Sequence, residues 1–306
     1  MKMNDQVSYD NKGLEGGDGP LVAYLLHEHS IFTLIKIHWL VFIGFVVYFY
    51  VKFFLRGKTY PITRRQRMCF FIAIILLTFL KATFLDVIGA YYLFSVHVLQ
   101  ISFICFIVIP LMILSIPHTF LRQHIWHYRT QFVFTLFSHP WLSLILFNGL
   151  LTIYLLPTVF TFLQSVPFVQ SLYQILLVLL ATFMWFVIIQ PVREFQRVNP
   201  LLRAVYIFLA SLILMPIGFY FVIVQKVHLP MYVEVEQTLF PMLNIIYDQQ
   251  LAGGILKITQ MFSYAFALLF IMLEWGRREQ EKEGTADVDH VRYIRGVVIH
   301  LDDKKQ

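Results

Sequence analysis

The sequence predicts an all-α integral membrane protein, a seven-transmembrane-helix bundle with its N-terminus outside and its C-terminus in the cytoplasm. Three observations predict it. Hydrophobic residues make up 58% of the 306-residue chain and charged residues only 14%, against about 25% charged in an average soluble domain. The apolar residues come in long blocks rather than as a helical stripe, the pattern of segments solvated by lipid. Lysine and arginine gather in alternate connections between the blocks, which orients the chain.

In chain order, residues 1–30 are polar, glycine-containing and mildly acidic. They lack the basic start and apolar core of a signal peptide. They are expected outside the membrane, with the first helix serving as the insertion signal. Roughly 20 apolar residues cross the hydrocarbon layer. Blocks of that size run over 37–55, 68–85, 95–116, 141–159, 171–191, 204–224 and 251–275, which puts the membrane domain at 31–276. Lipid cannot satisfy free amides, so each block must be helical. The period-two alternation of a membrane barrel is missing. Pro110, Pro117, Pro157, Pro191 and Pro216 are expected to kink or end helices, Pro110 and Pro216 falling mid-block and the others near block ends.

The connection after the first block holds Arg56, Lys58, Arg64, Arg65 and Arg67. The third holds Arg122 and Arg129, the fifth Arg193, Arg197 and Arg203, and the tail begins with Arg277 and Arg278. The alternate connections are poor in both residues, so the basic ones are read as cytoplasmic. The net charge of +6 is thereby assigned to topology, not to nucleic acid. Residues 277–306 form a cytoplasmic tail of mixed charge, expected to be disordered, with Val297-Val298-Ile299 a strand only for a partner. Cys69 and Cys105 lie inside apolar blocks, so no disulfide is expected.

Polar residues inside the blocks are the candidates for function, because each costs free energy unless partnered. His97 sits at the outer end of the third helix, and Gln100 lies one turn on, on the same face. Asp86 ends the second helix, and Asp248, Gln249 and Gln250 precede the seventh at the same level. Lys81 and Lys257 are placed to snorkel outward and pair with Asp86 or Asp248. The cluster reads either as a structural network or as a site. Met231, Met242 and Met261 add thioethers, which with imidazole suit Cu(I). His118, His124, His127 and His139, interleaved with arginines, read as a solvated basic loop. No nucleophile–base pair or glycine-rich phosphate loop is present, so no enzyme is expected.

These residues resemble the CtaG-type cytochrome c oxidase assembly factors of bacteria. Leu85-Asp86-Val87-Ile88-Gly89 followed by Leu93-Phe94-Ser95-Val96-His97-Val98-Leu99-Gln100 is similar to the family's Leu-Asp and Leu-Phe-Ser-Ala-His-Met-x-Gln run. Ile109-Pro110-Leu111 through Ser115-Ile116-Pro117 resembles its proline-rich end of helix three, and Asp248-Gln249-Gln250-Leu251-Ala252-Gly253 its Asp-Gln-Gln-x-x-Gly signature. Leu155-Leu156-Pro157 is a weaker match. The resemblance covers roughly residues 35–275.

The resemblance implies a multi-pass protein of the bacterial cell membrane that helps assemble a heme–copper oxidase. It implies oxidase subunits and the bilayer as partners and copper as the metal, with His97, Asp86 and Asp248 as the candidate ligands. The chain also departs from the family pattern. Ile101 stands where many members carry a second histidine, Tyr154-Leu155-Leu156-Pro157 replaces Trp-His-Leu-Pro, and Gln170 and Gln174 replace a pair of histidines. The alternative expectation is a small-molecule or ion transporter, with Lys81, Lys257 and Asp248 as its intramembrane groups.

Overall fold

A computed structural model describes residues 34, 36–57, 59–125, 132, 134, 136, 137, 139–192, 198–232, 243–286, 291–294 and 297–300. The chain forms helices α1 (Ile37–Leu55), α2 (Arg64–Lys81), α3 (Phe84–Tyr92), α4 (Phe94–Ser115) and α5 (His118–Ile125). They are followed by α6 (Pro140–Leu155), α7 (Pro157–Ser165), α8 (Pro167–Ile189), α9 (Pro200–Ile223) and α10 (Ile245–Ala286). Five of these, α1, α4, α8, α9 and α10, are long and apolar enough to span a membrane. The pairs α2–α3 and α6–α7 meet the same test jointly, bent by 50° and 76°, which brings the total to seven if each pair crosses once.

The first bend corrects the expectation of a continuous helix over 68–85, and the second agrees with the reading of Pro157 as a residue that kinks or ends a helix. Hydropathy runs on through the first break and hides it. Thr83 interrupts the first: its hydroxyl donates to the Phe79 carbonyl and accepts from the Leu85 amide, ending one helix and starting the next. Pro157 interrupts the second by forcing Leu156 into an extended conformation (ψ 128°). The tail also differs from expectation. α10 continues to Ala286, so the first residues of the expected tail are helical, and Val291–Ile294 (β1) pairs antiparallel with Val297–His300 (β2). The strand at 297 thus finds its partner within the chain.

α4 is the axis of the bundle, packed against α2, α8 and α10. α6 packs on α8 and α9, and α9 on α10. α1 lies along α2, where Tyr50 stacks on Phe70 with ring centroids 3.6 Å apart. The proline breaks explain many of the polar contacts. In α4 a π-turn over Ile104–Val108 brings the Ile109 amide to the Ile104 carbonyl. Pro110 then has no N–H for Cys105. The Trp185 indole of α8 donates to that carbonyl at 2.8 Å, and the Ser263 hydroxyl of α10 donates to Phe106. In α9 the helix breaks at Leu214 beside Pro216. Gln260 donates to the Ala210 carbonyl at 3.4 Å and Lys257 to Ser211 at 3.5 Å. In α4 the carbonyls that lose a donor to Pro110 are thus recovered by neighbouring helices, as a lipid-embedded chain requires, while at the α9 break Gln260 and Lys257 donate to carbonyls next to it.

Trp185→Phe keeps the ring and removes the donor. It is expected to lower stability by about 1–3 kcal/mol, because the Cys105 carbonyl is left buried and unpaired. Thermal unfolding in detergent, compared with Trp185→Phe in a chain already carrying Pro110→Ala, checks it. The double variant should recover part of the loss.

At the arginine-bearing end, Arg203 is 4% exposed and clamps three helices. Its Nε and Nη2 donate to the Ile188 carbonyl at the end of α8, at 2.9 and 2.6 Å, while Nη1 meets Glu274 of α10 at 3.1 Å. The chain turns out of α8 through Gln190 in the left-handed region (φ 48°).

Candidate functional site

At the opposite end the start of α4 is enclosed by α3, α7, the turn Pro230–Tyr232 and the start of α10. The residue before α4, Leu93, offers no side-chain cap. Asp248 supplies one from α10. Its Oδ2 accepts from the Phe94 amide at 2.7 Å and its Oδ1 from Ser95 at 3.1 Å, at 1% exposure. A carboxylate here answers both the open amides and the positive end of the helix dipole.

The rest of the Asp-Gln-Gln-x-x-Gly run performs the same kind of joining. Gln249 accepts from the His228 amide at 3.2 Å, and Gln250 donates to the Val224 carbonyl at 2.9 Å. Both tie the exit of α9 to α10. Gly253 lets the two backbones touch: a Cβ there would stand 2.7 Å from the Gly218 carbonyl oxygen and 2.9 Å from the Val222 nitrogen.

Asp86 forms a second group. It pairs with Lys81 at 3.0 Å and with Lys36 at 3.2 Å. Lys81 also donates to Gln100 at 3.3 Å, and Gln100 donates to the Leu85 carbonyl at 2.8 Å. The expected Lys81–Asp86 pair is therefore present. Lys257 does not pair with Asp248: its ammonium reaches Gln260 at 2.7 Å, one turn along its own helix, and the broken end of α9.

His97 belongs to a third group. Its Nε2 lies 2.8 Å from the Tyr154 hydroxyl, to which Gln174 also donates at 3.0 Å. Gln170 donates to Gln164 at 3.0 Å. Phe160 packs edge-on to His97 at 5.0 Å between centroids and touches Phe94 and Tyr232 as well. The Tyr232 hydroxyl donates to the Gly89 carbonyl at 3.1 Å, closing the lid over α3. Burial first, and then the nearby Asp248 charge, hold that phenol above its usual range.

The three predicted ligands thus lie around one helix start, but each faces its own partners. His97 is 5% exposed beneath an aromatic cover. The group that its Nε2 meets is the Tyr154 phenol, a poor donor for Cu(I). Met261 is 62% exposed, so it faces away from the bundle, and Met242 lies outside the described residues. No group of three or more His, Cys, Asp or Glu side chains able to hold a metal occurs among the described residues, His118, His124 and His139 included. The residues present do not fit a copper ion at this site. Lys81, Lys257 and Asp248, the basis of the transporter alternative, are all engaged in helix contacts.

Sequence reasoning missed Lys36, Phe160 and Tyr232. Lys36 carried a signal: it is a lone lysine immediately before the first apolar block, at the lysine-poor end. The two aromatic residues carried none, among 31 phenylalanines and 16 tyrosines.

A family model described as cytochrome c oxidase caa3 assembly factor matches residues 46–278, most of the chain. No curated protein and no solved structure matches it.

Proposed function

The chain belongs to the cytochrome c oxidase caa3 assembly factor family, and from that premise we propose that it holds a subunit of a heme–copper oxidase at the outer face of the membrane while the subunit's copper centre is completed. The family match carries this reading, since it spans α2 to α9 entire. Two further observations support it. Arg64, Arg65, Arg67, Arg203, Arg277 and Arg278 share the end opposite His97, which favours that end as cytoplasmic and the Asp248 end as outer. The outer end also presents Phe162, Phe168 and Tyr247 at 60%, 79% and 60% exposure, a surface suited to a protein partner or to the membrane interface. The role is non-catalytic: the chain supplies a shaped surface, and copper is cargo of the client.

Deletion of the gene is expected to abolish or strongly reduce oxidase activity, with restoration by the wild-type chain and by His97→Gln. Unchanged oxidase activity in the deletion strain removes the assembly role. Stoichiometric copper on the purified protein, lost on His97→Gln, would replace docking with ion carriage.

A further inference from the structure

The exposed face of α2 carries a shallow, open groove that none of the contacts above explains. It measures about 370 Å³ and is lined by Arg64, Arg67, Met68, Phe71, Ile72 and Ile75. All six lie on α2 at the spacing of a single helical face. The groove therefore looks away from the bundle, and every lining residue is exposed.

Its two halves differ in chemistry. Arg64 and Arg67 stand one turn apart at the start of α2. The contacts of that turn fix its depth. Gln66 donates to the Ile116 carbonyl at 3.5 Å, just past the end of α4, and Tyr50 donates to Ser115 at 3.2 Å. The guanidiniums are thus level with the end of a membrane-spanning helix, where headgroups lie. Neither has an acidic partner among the described residues. Met68, Phe71, Ile72 and Ile75 carry the groove on toward the middle of the membrane. Arg67 and Ile75 are separated by roughly 12 Å along the helix axis, a length that an acyl chain follows.

We propose that this groove is a binding site for an anionic phospholipid, its phosphate held by Arg64 and Arg67 and one acyl chain lying over Met68, Phe71, Ile72 and Ile75. The planar guanidinium matches phosphate oxygens in pairs, which a point-charge ammonium does not. Two guanidiniums without an internal counter-charge favour an anionic headgroup over a zwitterionic one, and the apolar continuation requires a lipid rather than free phosphate. The proposal stands on α2 alone and is independent of the assembly role.

The test is lipid retention by the full chain. Protein purified in mild detergent is reconstituted into nanodiscs of phosphatidylcholine with one part in five phosphatidylglycerol, re-extracted, and its bound lipid quantified by mass spectrometry. Phosphatidylglycerol should be enriched over its bulk share. R64Q/R67Q should remove that enrichment, with each arginine contributing a factor of roughly five. R277Q/R278Q, at the same end of the bundle, should leave it intact. Equal loss in both pairs would mean a diffuse basic surface and would overturn the site, as would full enrichment in R64Q/R67Q. Displacement of the lipid by millimolar inorganic phosphate would overturn the acyl-chain half of the proposal. A thermal melt of each variant, expected near wild type because both arginines are exposed, separates loss of the site from loss of the fold.

Discussion

Asp248→Ala should lower the stability of the bundle by about 3 kcal/mol, the cost of leaving two buried amides without their charged acceptor. The carboxylate is 1% exposed, and no side chain of α3 or α4 replaces it at Phe94 and Ser95. Loss of the charge also removes a favourable interaction with the dipole of α4. Asp248→Asn keeps one acceptor oxygen and should lose about half as much. Unfolding of the reconstituted protein by a denaturing detergent, followed by tryptophan fluorescence, measures both. An alanine variant as stable as wild type would show that the cap contributes nothing, and would return Asp248 to the list of functional residues.

The second large effect separates two adjacent glycines. Gly253→Val should lower stability strongly, because even its Cβ meets the Gly218 carbonyl oxygen at 2.7 Å and Phe221 at 2.8 Å. Those contacts are to helix backbone and the base of a side chain, so α9 itself must move; overpacking of this kind costs about 1–3 kcal/mol and sometimes more. Gly254→Ala should be neutral or gain up to about 1 kcal/mol, since nothing lies within 4 Å of a Cβ there and alanine favours helix. Expression level and melting temperature of the two variants, made side by side, decide it. Equal behaviour would mean that α9 and α10 are not in backbone contact.

These variants also mark what could be read from sequence. The helical, multi-span character and the position of five of the apolar blocks were legible, because lipid demands a minimum run and tolerates few charges. The first block at 37–55 coincides with α1. The break at Pro157 was legible from the proline itself; the bend at Thr83 was not, since a threonine ends one helix only where its hydroxyl finds both a carbonyl behind and an amide ahead. The site was legible as a list of polar residues at one depth, and Lys81 with Asp86 could be paired by proximity. Its division into three separate groups could not, because Asp248 answers to amides in α4 and Lys257 to carbonyls in α9. The meaning of the signature glycine likewise depends on which backbone passes beside it.

The cap on α4 sets an order of events during synthesis. Phe94 and Asp248 are separated by 154 residues in the chain. At about 5–20 residues per second, the ribosome needs on the order of ten seconds to supply the second after the first. Through that interval the leading amides of α4 stay without their acceptor, while α2 and then α8 pack against the helix. Arrival of α10 then closes the start of α4 through Asp248 and, at the other end of the bundle, ties α9 through the Glu274–Arg203 pair. A chain stalled before α10 leaves the amides of Phe94 and Ser95 without their carboxylate acceptor, and a finished chain satisfies them.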